Sequence, residues 1–258
     1  MFKNSRAAGT LAFAVALLSG TLWSGATQAE PLKVLTAGAF KEVLLAVIPA
    51  FEASGLQLQW QNDTVGNLVK RIEGGERFDV VIASPSALRT LENSGKISGG
   101  TTNLASVGVG VAIREGAPKP DIATVEAFKQ ALLTARSVAY IDPASGGSSG
   151  IYLAGLLEKL GIGAEVKAKS VLVRGGYVAE RVASGEAEIA LHQISEILPV
   201  KGVVLVGPLP REIQNFTVYS AGIAAAGTQK ASAHALIDLI RSGEGAAAIK
   251  TRGLEPVQ

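Results

Sequence analysis

Ala144-Ser-Gly-Gly-Ser-Ser-Gly150 lies between a short apolar run and an amphipathic segment, and this order decides the fold. The run before it, Ser137-Val-Ala-Tyr-Ile-Asp142, is typical of a buried strand, and Ile151–Leu160 after it has the apolar spacing of a helix. A Gly/Ser-rich loop at the start of a helix leaves several backbone N–H groups unpaired at the positive end of the helix dipole. The stretch therefore predicts a strand–turn–helix unit with a site for a small anion.

The same alternation of strand and helix extends along most of the chain. Runs rich in apolar residues such as Leu32–Thr36 and Phe78–Ser84 predict strands, and helical spacing over Phe40–Phe51 and Val65–Ile72 predicts helices between them. This alternation indicates an α/β fold with a mainly parallel sheet. In such a sheet ligands bind beyond the carboxyl ends of the strands, so the loops that follow the strands are the expected place for a site.

The first residues have the features of a secretion signal. Lys3 and Arg6 form a basic start, Thr10–Trp23 is apolar, and Ala26–Ala29 ends in a small residue that suits cleavage before Glu30. The apolar stretch is shorter than the roughly 20 residues that span a bilayer. We therefore expect this segment to be removed and the mature protein to be exported to the periplasm.

Composition narrows the classes of function. Of 24 basic and 22 acidic residues, the signal segment carries two basic ones and no acid, which leaves the mature protein with no net formal charge. The sequence lacks a broad basic field, which argues against nucleic acid as a partner. With no cysteine and two histidines far apart in the chain, neither a metal nor another cofactor is expected.

Four junctions between a predicted strand and a helix are small or rich in glycine. They are Ala37-Gly-Ala39, Thr64-Val-Gly66, the 144–150 loop and Arg174-Gly-Gly176. Each one alone is better explained as a tight turn, but four of them, two in each half of the chain, indicate one shared site. A hydrogen bond to a charged group contributes about 1.5–3 kcal/mol, and micromolar affinity needs about 8 kcal/mol. A handful of such bonds therefore suffices to hold an anion.

An enzymatic interpretation also follows from the 144–150 loop. Gly146-Gly-Ser-Ser-Gly150 matches G-x-S-x-G, the nucleophile elbow of α/β-hydrolases, with Ser148 as the nucleophile and His192 as the base. However, several residues separate Ser148 from the preceding strand, and the glutamates between it and His192 give no convincing third member. A Ser-dependent hydrolase stays an alternative, and the first interpretation is a protein that is not an enzyme.

Two further polar residues lie close to these junctions. His192, near the end of the predicted strand Glu188–Gln193, is either a hydrogen-bond donor to an anion or a buried strand histidine. Arg174 either pairs bidentately with a carboxylate or oxyanion, or is a solvated loop residue. Both alternatives are open for each residue.

The order of short motifs resembles the periplasmic molybdate-binding family of ABC-importer solute-binding proteins. The motifs are Ala37-Gly-Ala-Phe40, L-x-x-x-I-E-x-G over Leu68–Gly75 followed by Phe78-Asp-Val80, Gly150-Ile-Tyr152 with Leu160-Gly161, and Gly185-Glu-Ala187. The resemblance covers the mature chain and implies a type II periplasmic-binding-protein fold. That fold has two α/β lobes, joined by two crossovers, that close on a ligand. Residues 30–108 with 213–258 would form the first lobe and 109–212 the second.

The resemblance also implies positions for ligand contacts. The two loop serines of the family correspond to Ala39 and Val65, and its pocket tyrosine corresponds to His192. Because these hydroxyl-bearing positions are changed, we expect the backbone cradle to be kept and the anion to differ, with Arg174 and His192 holding an organic carboxylate. The predicted ligand-binding residues, from the loops and the resemblance together, are Ala39, Thr64, Val65, Ser148, Ser149, Arg174, Gly175 and His192.

The sequence therefore predicts an exported, monomeric solute-binding protein. It captures a small anion, a molybdate-like oxyanion or an organic carboxylate, between two lobes and passes it to the permease of an ABC importer. Besides the Ser-dependent hydrolase, a periplasmic sensor or scaffold with the same fold is the other alternative.

Overall fold

The structure is a computed structural model that describes residues 30–257, and a mixed sheet flanked by helices forms its centre. The predicted signal segment, residues 1–29, lies outside this described part. None of the helices between residues 30 and 257 combines the length and the apolar character that are needed to cross a membrane.

Strands and helices alternate in the described part of the chain. The strands are β1 (Leu32–Ala37), β2 (Leu58–Asp63), β3 (Val80–Ala83), β4 (Ile97–Arg114), β5 (Val138–Ile141), β6 (Ser170–Val173), β7 (Ile189–Gln193), β8 (Val203–Pro208), β9 (Phe216–Ala224) and β10 (Glu255–Pro256). The helices are α1 (Lys41–Ala53), α2 (Val65–Glu73), α3 (Pro85–Asn93), α4 (Val125–Thr134), α5 (Ser148–Lys159), α6 (Gly163–Lys167), α7 (Glu180–Ala183), α8 (Ile194–Ile197), α9 (Lys230–Arg241) and α10 (Gly243–Thr251). Short 3-10 turns occupy Gly38–Phe40, Pro143–Ser145 and Arg211–Ile213.

The sheet has the strand order β2-β1-β3-β9-β4-β7-β5-β6, with β8 and β10 also paired to β4. Pairing is parallel within β2-β1-β3 and within β6-β5-β7, and it is antiparallel wherever β4 or β9 takes part. The predicted α/β alternation is confirmed, and the parallel pairing is confined to these two groups. The long strand β4 connects them, because its first part pairs with β9 and its second part with β7 and β8.

Apolar side chains form three buried clusters around the sheet. One joins β1 and β3 to α1, α3 and α9, with Phe40 and Tyr219 among its largest members. The other two lie on opposite faces of β5 and β7, because successive side chains of a strand point to opposite faces: Tyr140 packs with α4 and α5, and Ile141 with α7 and α8. Each fully buried large side chain contributes about 1.5–3 kcal/mol. These clusters hold the strand ends in place.

Candidate functional site

The carboxyl ends of five strands, β1, β2, β5, β6 and β7, surround one cleft of about 290 Å³. This arrangement places the loops after the strands around a common space, as expected for an α/β sheet. The residues that line the cleft are Gly38, Asn62, Asp63, Thr64, Val65, Ile141, Gly147, Ser148, Ser149, Gly175, Gly176, His192, Gln193, Glu196 and Tyr219.

The cleft brings together six of the eight residues that the sequence singled out, namely Thr64, Val65, Ser148, Ser149, Gly175 and His192. Arg174 is a correction to the prediction. Its side chain is 92% exposed, with Nε 3.9 Å from Oδ2 of Asp142, and it does not line the cleft. Ala39 is buried behind Gly38, where its carbonyl accepts a hydrogen bond from Oγ of Ser195 at 2.8 Å.

The Gly/Ser-rich loop starts α5 and supplies backbone donors to the cleft. The helix begins at Ser148, three residues before the predicted start, and Gly147 precedes it without a side-chain cap in the described chain. Gly150 makes this early start possible, because a Cβ atom there would overlap the carbonyl group of Ile141 at the end of β5. The first N–H groups of α5 therefore carry no internal partner and, with the helix dipole, form the type of site that binds anions.

The opposite wall of the cleft contacts this loop directly. Thr64 caps α2 by accepting the N–H of Asn67 at 3.3 Å, and its Oγ1 donates to the carbonyl of Ser145 at 2.5 Å. Two residues further on, Gly66 donates its N–H to the carbonyl of Gly146 at 3.1 Å. The two loops that the sequence identified separately thus hold each other across the cleft.

A side-chain bridge also connects elements that are far apart in the sequence. Nζ of Lys41 donates to the Tyr177 hydroxyl at 2.9 Å and lies 4.5 Å from the centre of its ring. The Tyr177 hydroxyl in turn donates to Glu42. Burial and this carboxylate raise the pKa of Tyr177, so the hydroxyl stays protonated and available as a donor.

A buried carboxyl–imidazole pair forms one side of the cleft. His192 is the next-to-last residue of β7 and Glu196 lies in the short helix α8 that follows, which places Nε2 of His192 3.2 Å from Oε2 of Glu196. The two side chains are 2% and 8% exposed. Burial lowers the pKa of His192 to about 3 and raises the pKa of Glu196 to about 8. Near neutral pH both groups are therefore mainly uncharged.

The backbone is shaped to let the Glu196 carboxyl reach the cleft. A Cβ atom at Gly38 would lie 2.6 Å from Oε1 of Glu196, closer than such atoms approach. Glycine at this position therefore leaves the space that the carboxyl occupies next to the first loop.

Two buried nitrogen atoms at the cleft lack hydrogen-bond partners within residues 30–257. They are Nδ1 of His192 and Nε2 of Gln193. The oxygen of the Gln193 amide accepts the Tyr219 hydroxyl at 2.9 Å, which orients the amide and leaves its nitrogen without a partner. A buried polar group without a hydrogen-bond partner lowers the stability of the fold by about 1–3 kcal/mol. Such groups are therefore rare in native proteins. A ligand with an acceptor oxygen would supply the partner that the Gln193 amide nitrogen lacks.

The hydrolase interpretation does not match this arrangement. It needs the Ser148 hydroxyl next to the imidazole of His192, with an acid behind the imidazole. Instead Nε2 of His192 faces Oε2 of Glu196, so the imidazole is directed at a carboxyl and not at the Ser148 hydroxyl. The described residues also contain no group of three or more His, Asp or Glu side chains placed to hold a metal ion.

Sequence reasoning missed Glu196, Gln193 and Tyr219. The spacing of four residues between His192 and Glu196 was a usable signal, but the four-residue helix α8 is too short to give a periodic pattern. Tyr219 lies in β9 and reaches the cleft only because that strand sits between β3 and β4 in the sheet.

The chain belongs to the family of bacterial extracellular solute-binding proteins, whose sequence model matches residues 32–255. An aconitate isomerase from Pseudomonas sp is 35% identical to it over 256 residues, 96% of each chain. The periplasmic molybdate-binding protein of Azotobacter vinelandii has the same fold, with a TM-score of 0.75 at 21% identity over 88% of this chain and 100% of that chain. The sulfate-binding protein SubI from Mycobacterium tuberculosis H37Rv gives a TM-score of 0.72 at 19% identity over 88% and 87%.

These comparisons confirm the resemblance and the periplasmic-binding-protein fold that it implied. The family and the structural neighbours are binding proteins for small solutes, and several of the neighbours are named for oxyanions. The relative that matches at 35% identity, in contrast, has the name of an enzyme that acts on an organic tricarboxylate.

Proposed function

We propose that this chain is an exported solute-binding protein that captures a small organic polycarboxylate of the aconitate class in the cleft. The observation that carries the proposal is the lining itself: unpaired backbone N–H groups of α5 next to a buried, mainly uncharged set of polar side chains. The relative that shares 35% of its sequence is named for a substrate of this class.

The polar groups of the cleft favour a carboxylate over a tetrahedral oxyanion. Val65 offers no hydroxyl donor, and the amide nitrogen of Gln193 still needs an acceptor. A planar carboxylate can accept from the N–H groups of Ser148 and Ser149 while a second carboxylate accepts from the Gln193 amide. Donors to a charged group are each worth about 1.5–3 kcal/mol, so this pairing accounts for affinity without a cation in the cleft.

The protonation of Glu196 supports anion binding at neutral pH. An ionised carboxylate in the cleft would repel an anion in a medium of low dielectric constant. Because burial raises the pKa of Glu196 to about 8, the group is mainly neutral below that pH. We expect ligand affinity to fall as the pH rises above 8.

We also propose that residues 30–108 with 213–258, and residues 109–212, act as two lobes that close on the ligand. Separate apolar clusters around β1 and β3 and around β5 and β7 support this division. The contacts between Thr64 and Ser145 and between Lys41 and Tyr177 are then those of a closed form. The proposed partner is the permease of an ABC importer, which receives the ligand when the lobes open in the periplasm.

A thermal-unfolding screen of the purified protein tests the ligand class. The panel contains cis- and trans-aconitate, citrate, malate, molybdate, tungstate and sulfate. A ligand at 100 times its Kd stabilises by about 2.7 kcal/mol, which raises the melting temperature by several degrees. We expect a shift with the tricarboxylates. A shift with molybdate and tungstate alone would contradict the carboxylate proposal and indicate that the protein binds tetrahedral oxyanions.

Variants at Ser148 test whether the backbone of α5 makes the contact. Ser148→Pro removes one free N–H at a helix position that tolerates proline, whereas Ser148→Ala removes only the hydroxyl. Val125→Pro at the same position of α4, away from the cleft, is the matched control. We expect Ser148→Pro to weaken binding about 10-fold or more, and the other two variants to bind within about threefold of the unmodified protein.

Isomerisation of the captured ligand is a second candidate function. The observation that favours it is the buried pair of Glu196 and His192 at the cleft, because groups whose pKa values are strongly shifted cluster at catalytic sites.

A further inference from the structure

We propose that Glu196 moves a proton between two carbon atoms of an unsaturated carboxylate in the cleft, with His192 as its positioning residue, an inference that rests on the proposed function. The site would then catalyse a 1,3-proton shift, which moves the carbon–carbon double bond by one position. Glu196 is the catalytic residue because its carboxyl lines the cleft, whereas His192 acts through the 3.2 Å contact with that carboxyl.

One carboxyl oxygen of Glu196 is positioned to exchange a proton with a ligand in the cleft. Oε2 faces Nε2 of His192, so a neutral imidazole with its proton on Nε2 donates to Oε2 and fixes the carboxyl. Oε1 lies next to Gly38, where only the absence of a Cβ atom makes room for it. Because Gly38 lines the cleft, Oε1 is the oxygen that can accept and return a proton.

The step balances without a co-reactant. Ionised Glu196 takes a proton from the saturated carbon beside the double bond: that C–H bond breaks and an O–H bond forms. The electron pair moves into a new carbon–carbon double bond while the old one shifts its electrons toward the far carbon and the adjoining carboxylate. Glu196 then returns a proton to the far carbon, either the one it took or one that its O–H group has exchanged with solvent. One C–H bond is broken, one is formed, and nothing is oxidised or reduced.

The cleft stabilises the charge that develops in this step. The negative charge of the intermediate spreads onto the carboxylate oxygens of the ligand, next to the unpaired N–H groups at the start of α5. Donors that are already oriented toward developing charge are often the largest single contribution to catalysis. The same backbone groups that bind the ligand thus lower the barrier for removing its proton.

The surroundings of Glu196 suit a proton carrier that works near neutral pH. Its pKa is raised to about 8, mainly by burial, with Lys41 opposing the rise and Glu42 adding to it. The other titratable groups that face it are His192, Tyr177 and Tyr219, and burial keeps each of them in its neutral form. A carboxylate with a raised pKa is a stronger base than an ordinary glutamate, and proton transfer is most efficient when the pKa lies near the working pH.

Proton exchange in heavy water tests the proposal. The purified protein is incubated with trans-aconitate in D₂O, and ¹H NMR follows both deuterium incorporation at the allylic carbon and formation of the cis isomer, against a sample without protein. Calorimetry measures Kd for each variant. We expect Glu196→Gln to bind within about threefold of the unmodified protein and to lose exchange and isomerisation by about 10²–10⁴-fold. The exposed Glu244→Gln is the matched control and keeps the full rate.

Two further measurements separate a positioning role from a structural one. The rate of the unmodified protein should rise with pH up to about 8, where Glu196 ionises. His192→Gln should lower the rate and move this pH profile while binding persists, and Glu196→Asp should restore part of the rate. If circular dichroism shows that Glu196→Gln is unfolded, the test uses the rate and the pH profile of Glu196→Asp instead.

The outcomes distinguish this inference from the proposed function. If the protein binds tricarboxylates but neither exchanges nor isomerises them, the inference is overturned and capture stands. If Glu196→Gln exchanges at the unmodified rate, Glu196 is not the proton carrier. If no carboxylate binds at all, the proposed function itself fails.

Discussion

Gly66 donates its backbone N–H to the carbonyl oxygen of Gly146 at 3.1 Å, so the two walls of the cleft meet at a pair of glycines. A Cβ atom on Gly66 would lie 2.9 Å from Cα of Gly146, and one on Gly146 would lie 2.7 Å from Cα of Gly66. The backbones can therefore approach this closely only because neither residue has a side chain. This contact joins the start of α2 to the loop before α5.

Gly66→Ala should open the cleft without unfolding the protein. The added methyl group overlaps the backbone of Gly146, so the two loops must separate and the hydrogen bond to Gly146 is lost. Losing such a bond costs about 0.5–1.5 kcal/mol, so we expect Kd for the ligand to rise up to about 10-fold by calorimetry. Gly155→Ala, a helix position of α5 with nothing within 4 Å, is the matched control and should leave Kd unchanged. Unchanged affinity in Gly66→Ala would contradict this role.

Tyr177→Phe should weaken ligand binding by removing the bridge to α1. The phenol hydroxyl accepts from Lys41 and donates to Glu42, so both charged groups lose a partner. We expect a faster dissociation rate and a Kd several-fold higher, measured by stopped-flow and calorimetry. Tyr140→Phe loses a hydroxyl that contacts Ser170 away from the cleft, and it should bind as the unmodified protein does. Equal effects of both substitutions would show that the bridge has no special part in closure.

The free energy of unfolding should have a maximum between about pH 4.5 and 6.5. Glu196 has a pKa of about 8 in the folded protein and 4.5 ordinarily, so its contribution is full below pH 4.5 and is lost as the pH rises toward 8. His192 has a pKa of about 3 against 6.5, so its contribution is present above pH 6.5 and is lost as the pH falls toward 3. The two slopes cancel between pH 4.5 and 6.5.

Urea unfolding at pH values from 4 to 9 measures this profile. Glu196→Gln should remove the decline between pH 6.5 and 8, because glutamine does not ionise, while the exposed Glu244→Gln should keep it. A profile of Glu196→Gln that still falls over this range would mean that Glu196 is not the buried group responsible.

Arg174→Ala should leave ligand affinity unchanged within about twofold. The sequence favoured Arg174 as a carboxylate partner, but its side chain is 92% exposed and its nearest acidic oxygen is Oδ2 of Asp142 at 3.9 Å. An ion pair between exposed side chains contributes little to the free energy of folding or binding. Calorimetry against the same tricarboxylate checks the prediction, and a loss of 10-fold or more would show that Arg174 turns into the cleft when ligand binds.

Particular residues show which features of the site could be predicted. Thr64, Ser148 and Gly175 were found because each follows a strand within a small or glycine-rich loop, which is a local pattern. Glu196 was not, because its place depends on α8 packing behind the first loop, where Ser195 donates to Ala39 across 156 residues of sequence. Gln193 was not, because its amide is oriented by Tyr219 of the distant strand β9. The exposed side chain of Arg174 was not foreseen either, because sequence gives its position in a loop but not the direction of its side chain.

The sequence alone determined the alternation of strands and helices and the loops that start α2 and α5. Apolar periodicity and glycine-rich turns depend on neighbouring residues, so they are readable along the chain. Only the tertiary structure decided that the long strand β4 joins two groups of strands, that Gly66 meets Gly146, and that Glu196 and His192 are buried together at the cleft. Burial, and the protonation that follows from it, depends on packing between segments distant in sequence, which no local pattern encodes.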